Sequence, residues 1–233
     1  GLQYEKFVVG SSEQFRLLNS PDKYPDFRIQ NIYASGQLWT GSGLETRDLV
    51  PGEGEEKVAN EKKMNENRNS CTINISYGDF DYHNGGDIQG VKPNAPDKWL
   101  NIEKSVAEFI KEVDVAVANH HSFSDAMYAE FLEITNPQAC IIPVWDFYHP
   151  QPRTLGNMLR AGISEKERDV FSAGLVKSNR TRLAEDGKKI HPSGHIVLRV
   201  YKGGKEFQIF VLDDTTTETP TIIYKSDIYT SRN

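Results

Sequence analysis

The chain has no histidine before His83, only two cysteines in 233 residues, no excess of positive charge and no long apolar run. Each absence excludes something. No histidine-based metal motif lies in the early part of the sequence. Cys71 and Cys140 lack any Cys-x-x-Cys spacing and sit in apolar, strand-like runs, so both are expected as buried reduced thiols, with a disulfide between their strands as the alternative. Nothing approaches the roughly 18 consecutive apolar residues of a membrane-crossing helix, so no membrane span is expected. The 27 Lys and Arg are outnumbered by 33 Asp and Glu, which leaves a net charge of −6. Grip on nucleic-acid phosphates needs clustered positive charge, so a nucleic-acid partner is disfavoured on charge grounds. Gly1 to Lys6 hold neither a Met nor a signal-like apolar core. That start reads as processed, and it carries the expectation of export, periplasmic or extracellular.

What is present is a chain long enough to bury a large core, with periodicities that alternate along its length. Residues 11–18 open with Ser and place Phe15 and Leu18 on one side, which predicts a short helix ended by Pro21. Residues 27–34 alternate apolar and polar as a half-buried strand does, and Ser35-Gly36 turns them into 37–40. From 41 to 68 the composition shifts to Gly, Glu, Lys and Asn, which predicts a mobile, solvated loop. Residues 69–76 and 80–87 read as a hairpin turned at Tyr77-Gly78. Helical spacing appears in 99–110, 124–132 and 153–161, with a short apolar strand at 115–118 and, before the last helix, a strand over 143–150 that leads to His149-Pro150. Strand, helix, strand, helix, strand predicts a mixed sheet with helices on its outer face. Residues 194–201 and 206–212 alternate around a Gly203-Gly204 turn, and 221–224 add a strand.

The chemistry concentrates at strand ends. The hairpin delivers Asp87 after Gly85-Gly86, and the apolar strand Val115 to Ala118 delivers Asn119-His120-His121. Asp supplies hard, bridging oxygen and His supplies nitrogen, which is the donor chemistry of a hydrolytic zinc centre. The order Asn69-Ser70 with its strand, Tyr77-Gly78, Gly86-Asp87, a helix, Asp114-Val115 through His120-His121, a helix, and a strand leading to His149-Pro150 resembles the second half of the metallo-β-lactamase superfamily. The resemblance is to the branch that includes the hydrolase domains of DNA-uptake proteins, and it runs without a gap from about residue 65 to 160.

The resemblance implies an α/β fold, the second half of a metallo-β-lactamase-like αββα sandwich with a C-terminal β-hairpin extension. It divides the chain into residues 1–165, the C-terminal half of that domain with 41–68 as its loop, and residues 166–233, an appended β-rich segment of the same module. It implies two zinc ions, with iron or manganese as alternatives, and hydrolysis of a phosphodiester, ester or lactone by a metal-bound hydroxide. Asp87 and His120 are the implied metal ligands, with His121 as the alternative to His120. His149, Tyr82 and Asn65 are the implied substrate contacts, with a small-molecule or phosphodiester substrate. The family's first metal motif, His-x-His-x-Asp-His, is not in this sequence, so the chain alone is expected to be inactive and to require an N-terminal half.

A half sandwich also leaves a sheet face carried by Ile73, Ile75, Val115, Val117, Ile141 and Val144 without its covering layer. Pairing with the missing half or with a second copy is therefore expected. The reading from a different class is a non-catalytic binding or assembly module that keeps half of the fold. Its partner surface would be the aromatic residues Trp39, Trp145 and Tyr148.

Overall fold

In the computed structural model, which describes residues 4–144, 146–163, 167–213, 215 and 219–232, the elements run in the order β1 (Phe27–Ala34), β2 (Gln37–Trp39), β3 (Thr46–Asp48), α1 (Gly54–Glu61), β4 (Thr72–Tyr77), β5 (Phe80–Asn84), α2 (Ile102–Ile110), β6 (Val115–Val117), α3 (Ala129–Thr135), β7 (Ala139–Ile142), α4 (Pro152–Arg160), β8 (Asp169–Ser172), α5 (Lys177–Arg182), α6 (Ala184–Lys188), β9 (His195–Val200), β10 (Glu206–Leu212), β11 (Ile222–Lys225) and β12 (Tyr229–Thr230). The first eight strands form one sheet in the order β3-β2-β1-β4-β5-β6-β7-β8, antiparallel up to β5 and parallel from β5 to β8. The last four form a small antiparallel sheet around β10. The protein is thus mixed α/β, as the alternation of strand and helix periods predicts.

Register explains which side faces what. Ile29, Ile75, Tyr82, Val115 and Ala139 are successive partners in one row across the sheet. Gln30, Asn74, His83, Ala116, Cys140 and Val170 form the next row and point to the opposite face. The second face is covered by helices: Cys140, Ile142 and Val170 pack with Met127, Phe131, Leu132, Leu155 and Met158. The first is covered in part by the small sheet, where Phe80, Val115, Ala139 and Phe171 share a core with Phe207, Ile209 and Val211. Ile73 and Ile75 remain half-buried. The face expected to be bare is therefore divided, with the chain's own C-terminal strands as the cover over Val115 and Ile141.

Several boundaries differ from the sequence expectation. Residues 11–18 form no helix: Ser11 Oγ does accept from the Gln14 amide at 3.1 Å, but Gln14 is drawn to the Val8 amide and to Asn31, and Phe15 and Leu18 stay exposed. The stretch 41–68 is not a structureless loop. It contains β3 and α1, fastened by Lys57 Nζ to Asp48 Oδ2 and the Val50 carbonyl, both at 2.5 Å. Those contacts join side chain and backbone seven and nine residues apart, which composition does not announce. The third helix starts later than its apolar spacing predicts, at Ala129, because Ser124 to Tyr128 are spent on the turn that precedes it. β8, which lies within the segment 166–233, is the eighth strand of the large sheet and pairs with β7. Cys140 is buried and Cys71 is exposed, and both are free thiols. No helix among the described residues is long and apolar enough to cross a membrane.

Candidate functional site

Three turns converge at the ends of β5, β6 and β7. After β5, Gly86 takes φ +60° and the Asp87 amide donates to Ser70 Oγ at 3.1 Å, which fixes the start of the acidic turn. After β6, residues Asn119–Ser122 make a tight left-handed turn in which His120, His121 and Ser122 have φ of 46°, 50° and 64°. Its His120 amide donates to the Gly86 carbonyl at 3.0 Å, so the histidine turn is docked on the aspartate turn. After β7, Asp146 to Pro150 form the third turn, and α5 holds it through Asn179 Nδ2 on the His149 carbonyl and Arg182 Nη2 on the Pro150 carbonyl at 2.8 Å.

These turns bring Asp87, His121 and His149 together. His121 Nε2 lies 3.5 Å from Asp87 Oδ1, and the His121 and His149 ring centroids are 5.6 Å apart. Each of the three histidines has its Nδ1 against an oxygen: His120 on Asp125 Oδ1 at 2.8 Å, His121 on the Pro143 carbonyl at 2.6 Å, and His149 on Asp146 Oδ1 at 2.8 Å. A carbonyl oxygen can only accept, so His121 donates from Nδ1 to Pro143, and this fixes the ring with Nε2 toward Asp87. His120 is engaged on both nitrogens, since its Nε2 lies 3.0 Å from Asn67 Nδ2. The geometry therefore distinguishes the pair: His121 sits beside the aspartate, while His120, the first choice on sequence order, is tied into a polar network behind it.

That network contains Asn65. Its Nδ2 donates to Gln89 Oε1 at 2.9 Å, and Gln89 Nε2 donates to Asp125 Oδ2 at 2.6 Å, so Asn65 supports Asp125 and His120 at one remove. Tyr82 does not join the site. Alternation along β5 points it to the face covered by the small sheet, where it packs beside Phe80 and burial pushes its hydroxyl pKa up. Tyr148 is exposed next to His149, and Trp39 packs edge-on against Phe109 at 5.5 Å. Trp145 lies outside the described residues.

Electrostatics follow from these contacts. The His120 pKa is raised, first by the hydrogen bond to Asp125, against a desolvation that lowers it, with the charges of Asp125, Asp87 and Glu103 adding to the rise. Desolvation acts upward on the Asp146 carboxyl, yet the bond and charge of His149 and the amides of Tyr148 and His149 together hold it below the usual range. Sequence order missed Asp125, Asp146 and the Pro143 carbonyl. Asp146 sits three residues before His149, but Asp125 reaches His120 only because of the left-handed turn. No spacing rule signals it.

Asp87 and His121 are donors of the kinds that suit zinc. Among the described residues, however, no group of three or more His, Cys, Asp or Glu is arranged to hold a metal ion. The donor set fits in kind and is incomplete in number. No family model matches the chain, and no curated protein is significantly similar to it.

Proposed function

We propose that this chain carries the second half of a metallo-β-lactamase-like, metal-dependent hydrolase site, completed by donors from an N-terminal half. The observation that supports this most is the facing pair Asp87 Oδ1 and His121 Nε2, with His121 Nδ1 fixed on a backbone carbonyl. Metal-binding histidines characteristically hold their second nitrogen on such a partner, which sets tautomer and ring direction. Asp87 and His121 would hold zinc, or iron or manganese, and the ion would supply Lewis acidity and lower the pKa of a coordinated water. This chain's residues then bind and orient. His149, fixed through Asp146, presents Nε2 as a donor or acceptor toward a substrate oxygen, and Tyr148 beside it offers an exposed ring. The substrate class is a phosphodiester, ester or lactone, because strand-end donors serve all three and the loops choose among them. The αββα sandwich belongs to this same proposal. The half-buried strip at Ile73 and Ile75 is where a further layer, from the missing half or a second copy, would find apolar surface.

A second reading, a non-catalytic binding or assembly module, is favoured by one observation: His120 is saturated by Asp125 and Asn67, and the described residues bring no third donor to Asp87 and His121. Zinc titration separates the two. The wild-type chain is expected to bind zinc weakly, and Asp87→Ala or His121→Ala is expected to abolish that binding without lowering Tm by more than a few degrees. Zinc binding that is absent from the wild type, or equal in both variants, would leave the binding-module reading.

A further inference from the structure

We infer that Glu103, on α2, is a positioning residue for the His120–His121 turn, holding a backbone conformation that the chain would not keep unaided; this rests on the proposal that the turn presents His121 to a ligand. His120, His121, Ser122 and Met127 all have positive φ, at 46°, 50°, 64° and 49°. Left-handed backbone is costly for any residue but glycine, and three such residues in succession persist only when their surroundings over-determine them.

The surroundings divide the task. On one side α4 grips the exit of the turn: the Gln151 amide and Thr154 Oγ1 both reach the Ser122 carbonyl, at 3.0 and 2.8 Å. From beneath, the fully buried Glu103 carboxylate grips the two ends of the segment. Its Oε1 accepts from Asn119 Nδ2 at 2.9 Å and from the Met127 amide at 2.6 Å, and its Oε2 accepts from the Tyr128 amide at 3.2 Å. Asn119 immediately precedes the histidines, and Met127 and Tyr128 close the segment. One side chain therefore sets the span across which the turn must bend.

A buried carboxylate is an expensive way to obtain stability, since desolvation opposes its charge and a hydrophobic residue of similar volume packs at lower cost. Three inward-facing donors are what make it tolerable here. The fit leaves no slack. A Cβ at position 90 would lie 2.7 Å from Glu103 Oε2 and 2.5 Å from Tyr128 Cδ2, so the chain passes that point as Gly90. The Glu103 amide donates to the Gln89 carbonyl at 3.2 Å, and Asn101 caps α2 through the Lys104 amide at 3.1 Å, which anchors the helix that presents the carboxylate.

The test is segment-resolved hydrogen exchange on the full chain, with zinc titration beside it, for the wild type, Glu103→Ala, Glu103→Gln and Asn119→Ala. Glu103→Ala is expected to speed exchange in residues 119–128 while residues 139–142 keep their protection, and to weaken zinc affinity roughly 10–100-fold, the usual effect of losing a supporting contact. Glu103→Gln keeps an oxygen for Asn119 and Met127 but turns an amide toward the Tyr128 amide, so it should fall between wild type and Ala. If Glu103→Ala does not fold, Asn119→Ala carries the same expectation, because it removes one partner and leaves the carboxylate. Wild-type exchange in 119–128 for the foldable variants, or a uniform rise across all strands, would overturn the inference. A wild type that binds no zinc would sink the hydrolase proposal alone, since the exchange readout needs no metal.

Discussion

His83 shows how much one side chain can tie stability to pH. It lies on the helix-facing row of the large sheet, fully buried against Phe131, with Nδ1 2.7 Å from Asn74 Oδ1 and Nε2 without a hydrogen-bond partner among the described residues. Burial pushes its pKa down to about 3. A base whose folded pKa is depressed stays neutral in the native state while the unfolded chain takes up a proton below about pH 6.5. Native stability is therefore lost as pH falls from 6.5 toward 3, at no more than about 1.4 kcal/mol per pH unit. His83→Leu removes the titrating group, and Asn74, half-buried, can turn to water. Urea unfolding at pH 6.5 and pH 5 should show the wild type losing about 1.6 kcal/mol more than His83→Leu over that interval. Parallel losses would mean that the imidazole is protonated, or solvated, inside the fold.

At the scale of elements, the alternating strands were legible, whereas β3, β8 and the turns were not, for a physical reason. Alternation reports a sheet's two faces directly, so residues 27–34 are assigned from side-chain type alone and 69–76 in the main, β4 running from Thr72 to Tyr77, and their rows meet in register at Ile29 and Ile75. The histidine turn depends on positive φ at residues with no such preference, and the order in 41–68 depends on Lys57 finding Asp48, so neither leaves a local trace. The turns also decide how the sheets meet. Gly78, in the β4–β5 turn, and Gly204, in the β9–β10 turn, face each other backbone to backbone. A Cβ on Gly204 would overlap the Tyr77 carbonyl oxygen at 1.6 Å, whereas one on its neighbour Gly203 would meet nothing within 4 Å. Both have positive φ, 85° at Gly203 and 72° at Gly204. Gly203→Ala should thus cost only the conformational penalty, about 1 kcal/mol, and Gly204→Ala should cost at least about 2 kcal/mol more because the two turns must part. Equal costs in chemical denaturation would show that the turns are not packed against each other.

For the whole molecule, the mixed α/β architecture followed from the order of periods, while the role of the last strands did not. Their alternation marked a hairpin, but nothing in it said that Phe207, Ile209 and Val211 would cover the row expected to be bare. That placement has a thermodynamic consequence. Phe207 is fully buried, stacked on Tyr229 at 4.7 Å and edge-on to Phe80 of the large sheet at 5.1 Å. Tyr229 in turn donates to Asp169 Oδ2 at 2.8 Å, and Asp169 belongs to β8 of the large sheet. The two sheets therefore share one core, and removing the small sheet would return Val115, Ala139 and Phe171 to water at about 25 cal/mol per Å². A β-segment appended as an independent unit would open alone. One that completes a core cannot. Phe207→Ala should cost about 3–5 kcal/mol, and it should lower the protection of β4–β8 amides by the same free energy as that of β9–β12 amides, because both sets exchange through the same opening. Faster exchange confined to β9–β12, with β4–β8 unmoved, would instead describe a large sheet that stands without its cover.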